Sequence, residues 1–502
     1  MDALQQIATG ALSILSFETI FWIILGSFLG MIVGAIPGLS SGMAVALLLP
    51  LTYALTPLNA LIFLTCVYVA VTYGGSLSAI LLNTPGAPEN AATAFDGYPM
   101  AREGRAGEAL GLAIAASALG GSISYLFLMG GIGYVADIAL SFGPAELFLL
   151  ALLGVLILSA VGTADPVKAL ISGALGLLIG TIGLVPTGES RATFGSLYLV
   201  EGVQIVPVLI GMLVITELLL MIDQDYIVDR DKMAGNRGVA GMFRGFRRAL
   251  DYPVNLGRST VIGIVIGLIP ATGATLAALA SYTITRRTSK DPESFGKGNP
   301  QGIVAAESAN NACSGGALMT TLTLGVPGSV ATAVLLGALT IHGLRPGPAL
   351  VQQQGPLVYG LISAAILSQV FMVAIAGGLG HAFSGSLAIH TRILVPLLMI
   401  FSILGSYAGR NVSFDAYLMI GFGLLGYVMK KYGYLPVALV MGVMLGSIAD
   451  NELVRVLQLF RSHWYRAFFE RPIAFVLLVV LVSILARALY QGLFGRRRKP
   501  AD

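Results

Sequence analysis

The chain has 502 residues, 56% of them hydrophobic and only 11% charged, with a formal net charge of +4. A soluble domain carries about 25% charged residues, so this composition excludes a soluble globular enzyme and indicates a polytopic membrane protein. No apolar-polar alternation of the barrel kind runs between turns, so the expected class is all-α.

In chain order, Phe17 to Thr56 reads as two short apolar arms around the break "PGLSSG", a hairpin that returns to the face it entered from. Crossings are expected near Leu58 to Tyr98, Ala109 to Tyr134, Ala145 to Val161, Val167 to Val185 and Leu197 to Ile222. The linker from Asp223 to Arg258 then carries Arg230, Lys232, Arg237, Arg244, Arg247, Arg248 and Arg258, which places it in the cytoplasm and the N-terminus outside. No Lys or Arg precedes Arg102, so a cleaved signal peptide is not expected.

The second half opens with another short-armed hairpin, Ser259 to Thr285. Crossings follow near Ile303 to Ile341, Pro356 to Gly380, Ile393 to Ala408, Ala416 to Val428 and Leu435 to Ala449. "NELVRVLQLFRSHWYRAFFERP" suggests a separate interfacial amphipathic helix, and the span Ile473 to Leu493 returns the basic tail "RRRK" to the cytoplasm. The expected organisation is a first membrane repeat over 1–222, a basic linker over 223–258, a second repeat over 259–450, and the amphipathic helix, last span and tail over 451–502.

The halves repeat each other. "FLGMIVGAIPGLSSGMAVALLLP" matches "VIGIVIGLIPATGATLAALAS", and "YGGSLSAILLNTPGAP" matches "CSGGALMTTLTLGVPGSV", offset by about 230 to 240 residues. Pro37 pairs with Pro270, Gly74-Gly75 with Gly315-Gly316, and Pro85-Gly86 with Pro327-Gly328. Each copy has an odd number of crossings, so the second is expected to be inverted relative to the first, as in secondary transporters with re-entrant hairpins and Pro-Gly-broken helices. An elevator-like or rocking movement follows from that architecture.

Four breaks locate the expected site: Ile36 to Gly42, Asn83 to Gly86, Pro270 to Gly273 and Val326 to Ser329. A broken helix presents unpaired N–H groups suited to a carboxylate and unpaired carbonyls suited to a cation. Gly38, Ser40, Ser41, Asn83, Thr84, Thr272, Gly273 and Ser329 are candidates on that ground. "AAESANNACSGG" places Glu307, Asn310 and Asn311 at helical spacings that share one face, and an intramembrane carboxylate is a coupling candidate for Na⁺ or H⁺. Thr323 joins this cation-coupling group with Glu307, Asn310 and Gly38; Thr320, Thr321 and Thr323 can equally bond within their own helix. Asp96 reads equally as a functional carboxylate or, with Gly97, as a surface turn, and Glu146, Asp165 and Glu217 read as solvated residues at span ends. Arg345 reads as a solvated turn residue.

Other chemistries find little support. Cys66 and Cys313 lack a metal-ligand spacing, the four histidines form no metalloprotease motif, and the basic residues belong to topology rather than nucleic-acid binding. G-L-S-S-G matches the G-x-S-x-G elbow of serine hydrolases, but its counterpart "PATG" has no serine at the matching place. A hydrolase using Ser40 and a passive anion channel stand as alternatives to the carrier.

"GAIPGLSSGMAVALLLPLTY", "YGGSLSAILLNTPGAPENAATAFDGYPMAREGRAGEALG" and "ESANNACSGGALMTTLTLGVPGSVATAVLLGALTIHGLRPGP" resemble the large membrane subunit of tripartite tricarboxylate transporters, the TctA family. The resemblance implies a bacterial inner-membrane carrier for citrate and other organic carboxylates, driven by Na⁺ or H⁺ with no cofactor. It also implies a small four-helix membrane subunit and a periplasmic solute-binding protein as partners. Carried over by position, the substrate site takes Ser40, Ser41, Asn83, Thr84, Pro85, Gly86, Asn310, Asn311, Pro327, Gly328 and Ser329. The chain departs from the family pattern at Pro270 to Gly273, where Pro-Gly is common.

Overall fold

The structure, a computed structural model, describes residues 3–160, 165–185, 187–222, 239–270, 272–379 and 391–494. In the first half the helices are α1 (Ala3–Ser13), α2 (Phe17–Ala35), α3 (Ser41–Leu48), α4 (Pro57–Leu82), α5 (Ala91–Met100), α6 (Ala106–Ala139), α7 (Pro144–Ala160), α8 (Pro166–Gly180), α9 (Ile205–Leu209) and α10 (Thr216–Met221). There follow α11 (Val239–Ala249), α12 (Pro253–Gly267), α13 (Gly273–Thr288), α14 (Pro300–Leu324), α15 (Val330–Ile341), α16 (Pro348–Gln353) and α17 (Gly355–Leu379). The last are α18 (Thr391–Ala408), α19 (Ser413–Lys431), α20 (Pro436–Phe460), α21 (Arg466–Phe469) and α22 (Pro472–Phe494). Among the described residues, strand structure is confined to Gly183–Leu184 paired antiparallel with Ser190–Arg191. Six of the described helices are long and apolar enough to cross a membrane. The chain is an all-α polytopic membrane protein. Arg230, Lys232 and Arg237 of the basic linker, His381, His390 and the "RRRK" tail lie outside the described residues.

The chain forms two compact units, one from Met1–Val135 with Glu217–Gly405 and the other from Ala136–Thr216 with Ser406–Asp502. Each unit therefore draws on both halves of the sequence.

In the first unit, local chemistry stops the helices where the sequence places its breaks. Helix α2 begins at the Ser16 cap and ends at Ala35, because Pro37 forces Ile36 into extended backbone. Helix α3 restarts at Ser40, whose side chain accepts the Met43 amide. Helix α4 ends on Asn83 and α14 on Gly325, both left-handed, two residues before Pro85 and Pro327. Helix α15 opens with a capping box between Ser329 and Thr332.

Small residues set the packing around these ends. Gly26, Gly30 and Gly34 of α2 lie directly against the carbonyl oxygens of Phe63, Val67 and Val71 of α4. Gly263 and Gly267 of α12 meet the Ala309 and Cys313 carbonyls of α14 in the same way. Helices that approach this closely need glycine at the crossing. Gly74 sits on the Met31 carbonyl as Gly316 sits on that of Ile264, and Gly86 meets Gly75 as Gly328 meets Ala317. The equivalent contacts thus join Gly74 to Gly316 and Gly75 to Ala317, one residue out of step with the pairing of the two Gly-Gly dipeptides read from sequence.

Three sequence expectations are corrected. Asp96 is not in a surface turn but inside α5, fully buried. Its Oδ1 accepts from the backbone amides of Gly296 (2.8 Å), Gly298 (3.0 Å) and Asn299 (2.8 Å), and its Oδ2 from the Tyr282 hydroxyl at 2.8 Å. The carboxylate replaces water for three loop amides, so it ties the α13–α14 loop to α5. Asp96→Ala leaves those amides without an acceptor and is expected to cost about 2 to 4 kcal/mol. Trypsin cleavage at Lys290 and Lys297 should accelerate by roughly tenfold, and unchanged cleavage would contradict the tie.

Glu146, expected to be solvated, is 1% exposed in the second unit and accepts from Arg471 at 2.6 Å and from the Gly143 amide at 2.9 Å. A buried carboxylate needs such partners. The region 451–471 does not begin a separate helix. Nothing between Ala449 and Phe460 breaks a helix, so α20 runs through to Phe460 and stops only at Arg461, which takes a positive φ of 46°.

The second unit is held by another glycine seam. Gly176 and Gly180 of α8 face the Leu439 and Val443 carbonyls of α20, and Gly442 and Gly446 of α20 face those of Gly173 and Leu177.

Candidate functional site

The first unit brings three of the four breaks together. The Gly38 amide donates to the Gly86 carbonyl at 3.0 Å, which ties the GLSSG turn to the α4 break. Gly86 donates to the Gly75 carbonyl at 3.1 Å, so this break folds back onto its own helix. Gly42 lies against the Val330 side chain, which brings the start of α3 to the start of α15. The Tyr68 hydroxyl is 3.2 Å from Ser329 Oγ and joins α4 to the α15 cap.

Ser40 and Ser41 therefore sit where helix N-termini and broken ends converge. The Ser40 hydroxyl caps α3 and is engaged with the Met43 amide. The Ser41 hydroxyl and amide are the polar groups facing the Glu89 carboxylate, which is buried just beyond the α4 break. Asn83 and Thr84 are exposed at the end of α4, with the Thr84 hydroxyl on the Leu82 carbonyl at 3.3 Å. Ser329 is committed to its capping box with Thr332.

The fourth break is built differently. The Thr272 hydroxyl donates to the carbonyls of Ile266 at 2.6 Å and Ile269 at 2.9 Å, closing the end of α12 rather than capping α13. Gly273 begins α13 with a φ of 72°. Gly267 of α12 faces Gly328, so this hairpin meets the Pro327-Gly328 break at its base. Ala271 lies outside the described residues.

Beside the α4 break, where Gly86 folds back onto Gly75, lies a polar centre. Glu307 of α14 is 0% exposed. It accepts from Ser76 of α4 at 2.5 Å, from Ser117 of α6 at 2.7 Å, and from Thr93 of α5. The Asn90 side chain donates to Ser76 Oγ at 2.8 Å and to the Thr72 carbonyl at 2.8 Å, which directs the Ser76 proton to Glu307. One carboxylate thus joins four elements through neutral hydroxyls. Asn310 donates to the Glu89 backbone carbonyl at 3.3 Å and leaves its own Oδ1 buried without a partner. Asn311 instead bonds back to the Glu307 carbonyl at 3.1 Å, and Thr323 to that of Met319 at 2.7 Å, both within α14.

Ser76, Ser117, Thr93, Glu89, Asn90 and Tyr68 were not singled out as site residues from sequence. Serine and threonine are common in membrane helices, and only the packing of α4, α5 and α6 around α14 distinguishes these. Glu89 carried a signal, a carboxylate four residues after Pro85 in an apolar region.

The tripartite tricarboxylate transporter TctA family model matches residues 20–441, which span every break and the Glu307 centre. The chain belongs to this family. Over 99% of its length this TctA-family chain is 34% identical to an uncharacterized 52.8 kDa protein in the TAR-I ttuC' 3'region of Agrobacterium vitis, again over 99% of that protein. It is also 33% identical over 235 residues, 47% of this chain, to an uncharacterized protein in the TAR-II ttuC' 3'region of the same organism, covering 97% of the latter. No solved structure matches the chain. Membership makes the chain a component of a tripartite tricarboxylate transporter and a multi-pass membrane protein.

Proposed function

We propose that the chain is the transport subunit of a secondary carrier that imports a di- or tricarboxylate of the citrate class across the bacterial inner membrane. A Na⁺ or H⁺ gradient drives it, without a cofactor. A periplasmic solute-binding protein delivers the substrate, and a small four-helix membrane subunit completes the complex.

The observation that carries this reading is the meeting of broken helix ends in a TctA-family chain, with a buried carboxylate beside the α4 break. The substrate carboxylates are assigned to the ends at Ser40-Ser41, Asn83 to Gly86, Thr272-Gly273 and Pro327 to Ser329, where the exposed Asn83 side chain offers an amide donor and the capped groups must exchange their present partners for substrate. Glu307 has only neutral partners, so its charge is balanced by a proton or a cation during the cycle. Asn310, one turn from Glu307, belongs to the same coupling region, whereas Thr323, sixteen residues further along the continuous helix α14, stands about 24 Å from Glu307 and falls outside it. The matched glycine contacts of α2–α4 and α12–α14 support reading the halves as repeats, and the odd number of crossings expected in each makes the second inverted. In that scheme the unit holding the breaks is the moving part of an elevator-like cycle.

Asn83→Ala and Asn310→Ala should each reduce carboxylate uptake by about tenfold with normal amounts of protein in the membrane. The measurement is uptake per unit of membrane protein. Parental kinetics in both variants would remove the site.

A further inference from the structure

A cavity of about 630 Å³ opens beside the C-terminal arm of the second hairpin, and the carboxylate site makes no use of it. Phe95, Leu279, Tyr282, Phe295, Arg286 and Arg287 line it, and no carboxylate does among the described residues. Its construction is graded. Leu279, Tyr282, Thr283 and Arg286 follow the three- and four-residue steps of one face of α13, so the wall changes from apolar to cationic over about 10 Å of helix.

The apolar end is rigid. Tyr282 sits edge-on between Phe95 (5.3 Å) and Phe295 (5.6 Å), and its hydroxyl is fixed on Asp96. Phe95 and Leu279 are nevertheless 45% and 36% exposed, so they offer apolar surface outward. The cationic end consists of Arg286 and Arg287 in the last turn of α13, both exposed.

We infer that this cavity binds an anionic glycerophospholipid, with the phosphate on Arg286 and Arg287 and an acyl chain along the exposed Leu279 and Phe95. Charge complementarity selects the occupant. Two guanidiniums and no facing carboxylate demand an anion, and guanidinium forks match phosphate oxygens. An exposed aromatic and aliphatic wall, with Leu279 about two helix turns from Arg286, demands that the same molecule carry hydrocarbon. The inference does not depend on the substrate or coupling ion proposed above. The lipid would rest on the Tyr282–Asp96 contact and so brace the second hairpin against α5.

The test uses the full-length protein with Phe95→Trp as reporter, reconstituted in phosphatidylcholine vesicles containing brominated phosphatidylglycerol or brominated phosphatidylcholine. The signal of parental protein, which holds Trp22 and Trp464, is subtracted. Brominated phosphatidylglycerol should quench the reporter with at least about fivefold higher apparent affinity than brominated phosphatidylcholine. Arg286→Gln with Arg287→Gln should bring the two lipids to within about twofold of each other. Leu279→Trp provides a second reporter if Phe95→Trp disturbs folding. Equal quenching by both lipids, or a preference that survives the double substitution, would overturn the site. Displacement of the brominated phosphatidylglycerol by about 10 mM inorganic phosphate would assign a soluble anion and overturn the lipid reading.

Discussion

Glu307→Gln is expected to lower gradient-driven uptake by at least about a hundredfold while the protein remains folded in the membrane. The amide keeps the size of the side chain but cannot carry the proton or balance the cation that the proposed coupling requires. It also brings two donors to a site where Ser76, Thr93 and Ser117 already donate. Glu307→Ala goes further. It removes the common acceptor of three hydroxyls on α4, α5 and α6, and should cost about 2 to 4 kcal/mol of stability in addition to activity. Uptake normalised to membrane protein separates the two variants, with thermal unfolding in detergent as the companion measurement. Parental uptake by Glu307→Gln would show that the buried carboxylate is only structural.

Gly86→Ala should have the largest structural effect. The Gly86 amide and carbonyl are both engaged, with Gly75 at 3.1 Å and Gly38 at 3.0 Å, and its α-carbon lies against Gly34 and Gly75. A methyl group there would enter backbone on two sides, and backbone cannot rotate away as a side chain can. The cost is expected to exceed about 4 kcal/mol, enough to remove most folded protein. Gly328→Ala meets the Ala317 backbone in the matching position of the second half and should behave alike. Gly378→Ala, with nothing within 4 Å, is the control and should express at the parental level. Normal folding of Gly86→Ala, measured by size-exclusion profile and uptake, would refute this account of the break.

Much of this molecule was legible because membrane helices obey few rules. Every backbone group must be satisfied within a segment, so Pro37, Pro85, Pro270 and Pro327 had to mark interruptions. The helices end within a few residues of each: Ala35, Leu82, Gly267 and Leu324. What could not be read was side-chain partnership across the fold. Asp96 beside Gly97 has the local chemistry of a turn, yet the positive-φ glycines Gly296 and Gly298 bring their amides around its carboxylate from far along the chain. Glu146 looked solvated because Arg471, which buries it, is equally distant. The same limit hid the hydroxyls around Glu307. The carboxylate was conspicuous in an apolar helix, but its donors on three other helices were not.

The register of the halves shows the limit of pattern matching in another way. Aligning the two Gly-Gly dipeptides was the natural choice by composition. The contacts instead follow the helix ends, where Asn83 and Gly325 both take left-handed backbone. Packing at this position follows which residue reaches the crossing, and Ala317 fills the place of Gly75.

The most direct test of the account is carboxylate uptake into proteoliposomes that contain the chain with a small four-helix membrane subunit and a periplasmic binding protein. A panel of di- and tricarboxylates is offered with Na⁺ and pH gradients imposed separately. A coupled carrier should accumulate at least one carboxylate above its external concentration, under one gradient or the other, and lose that accumulation in Glu307→Gln. Uptake that only equilibrates and ignores both gradients would contradict it and assign a passive pathway.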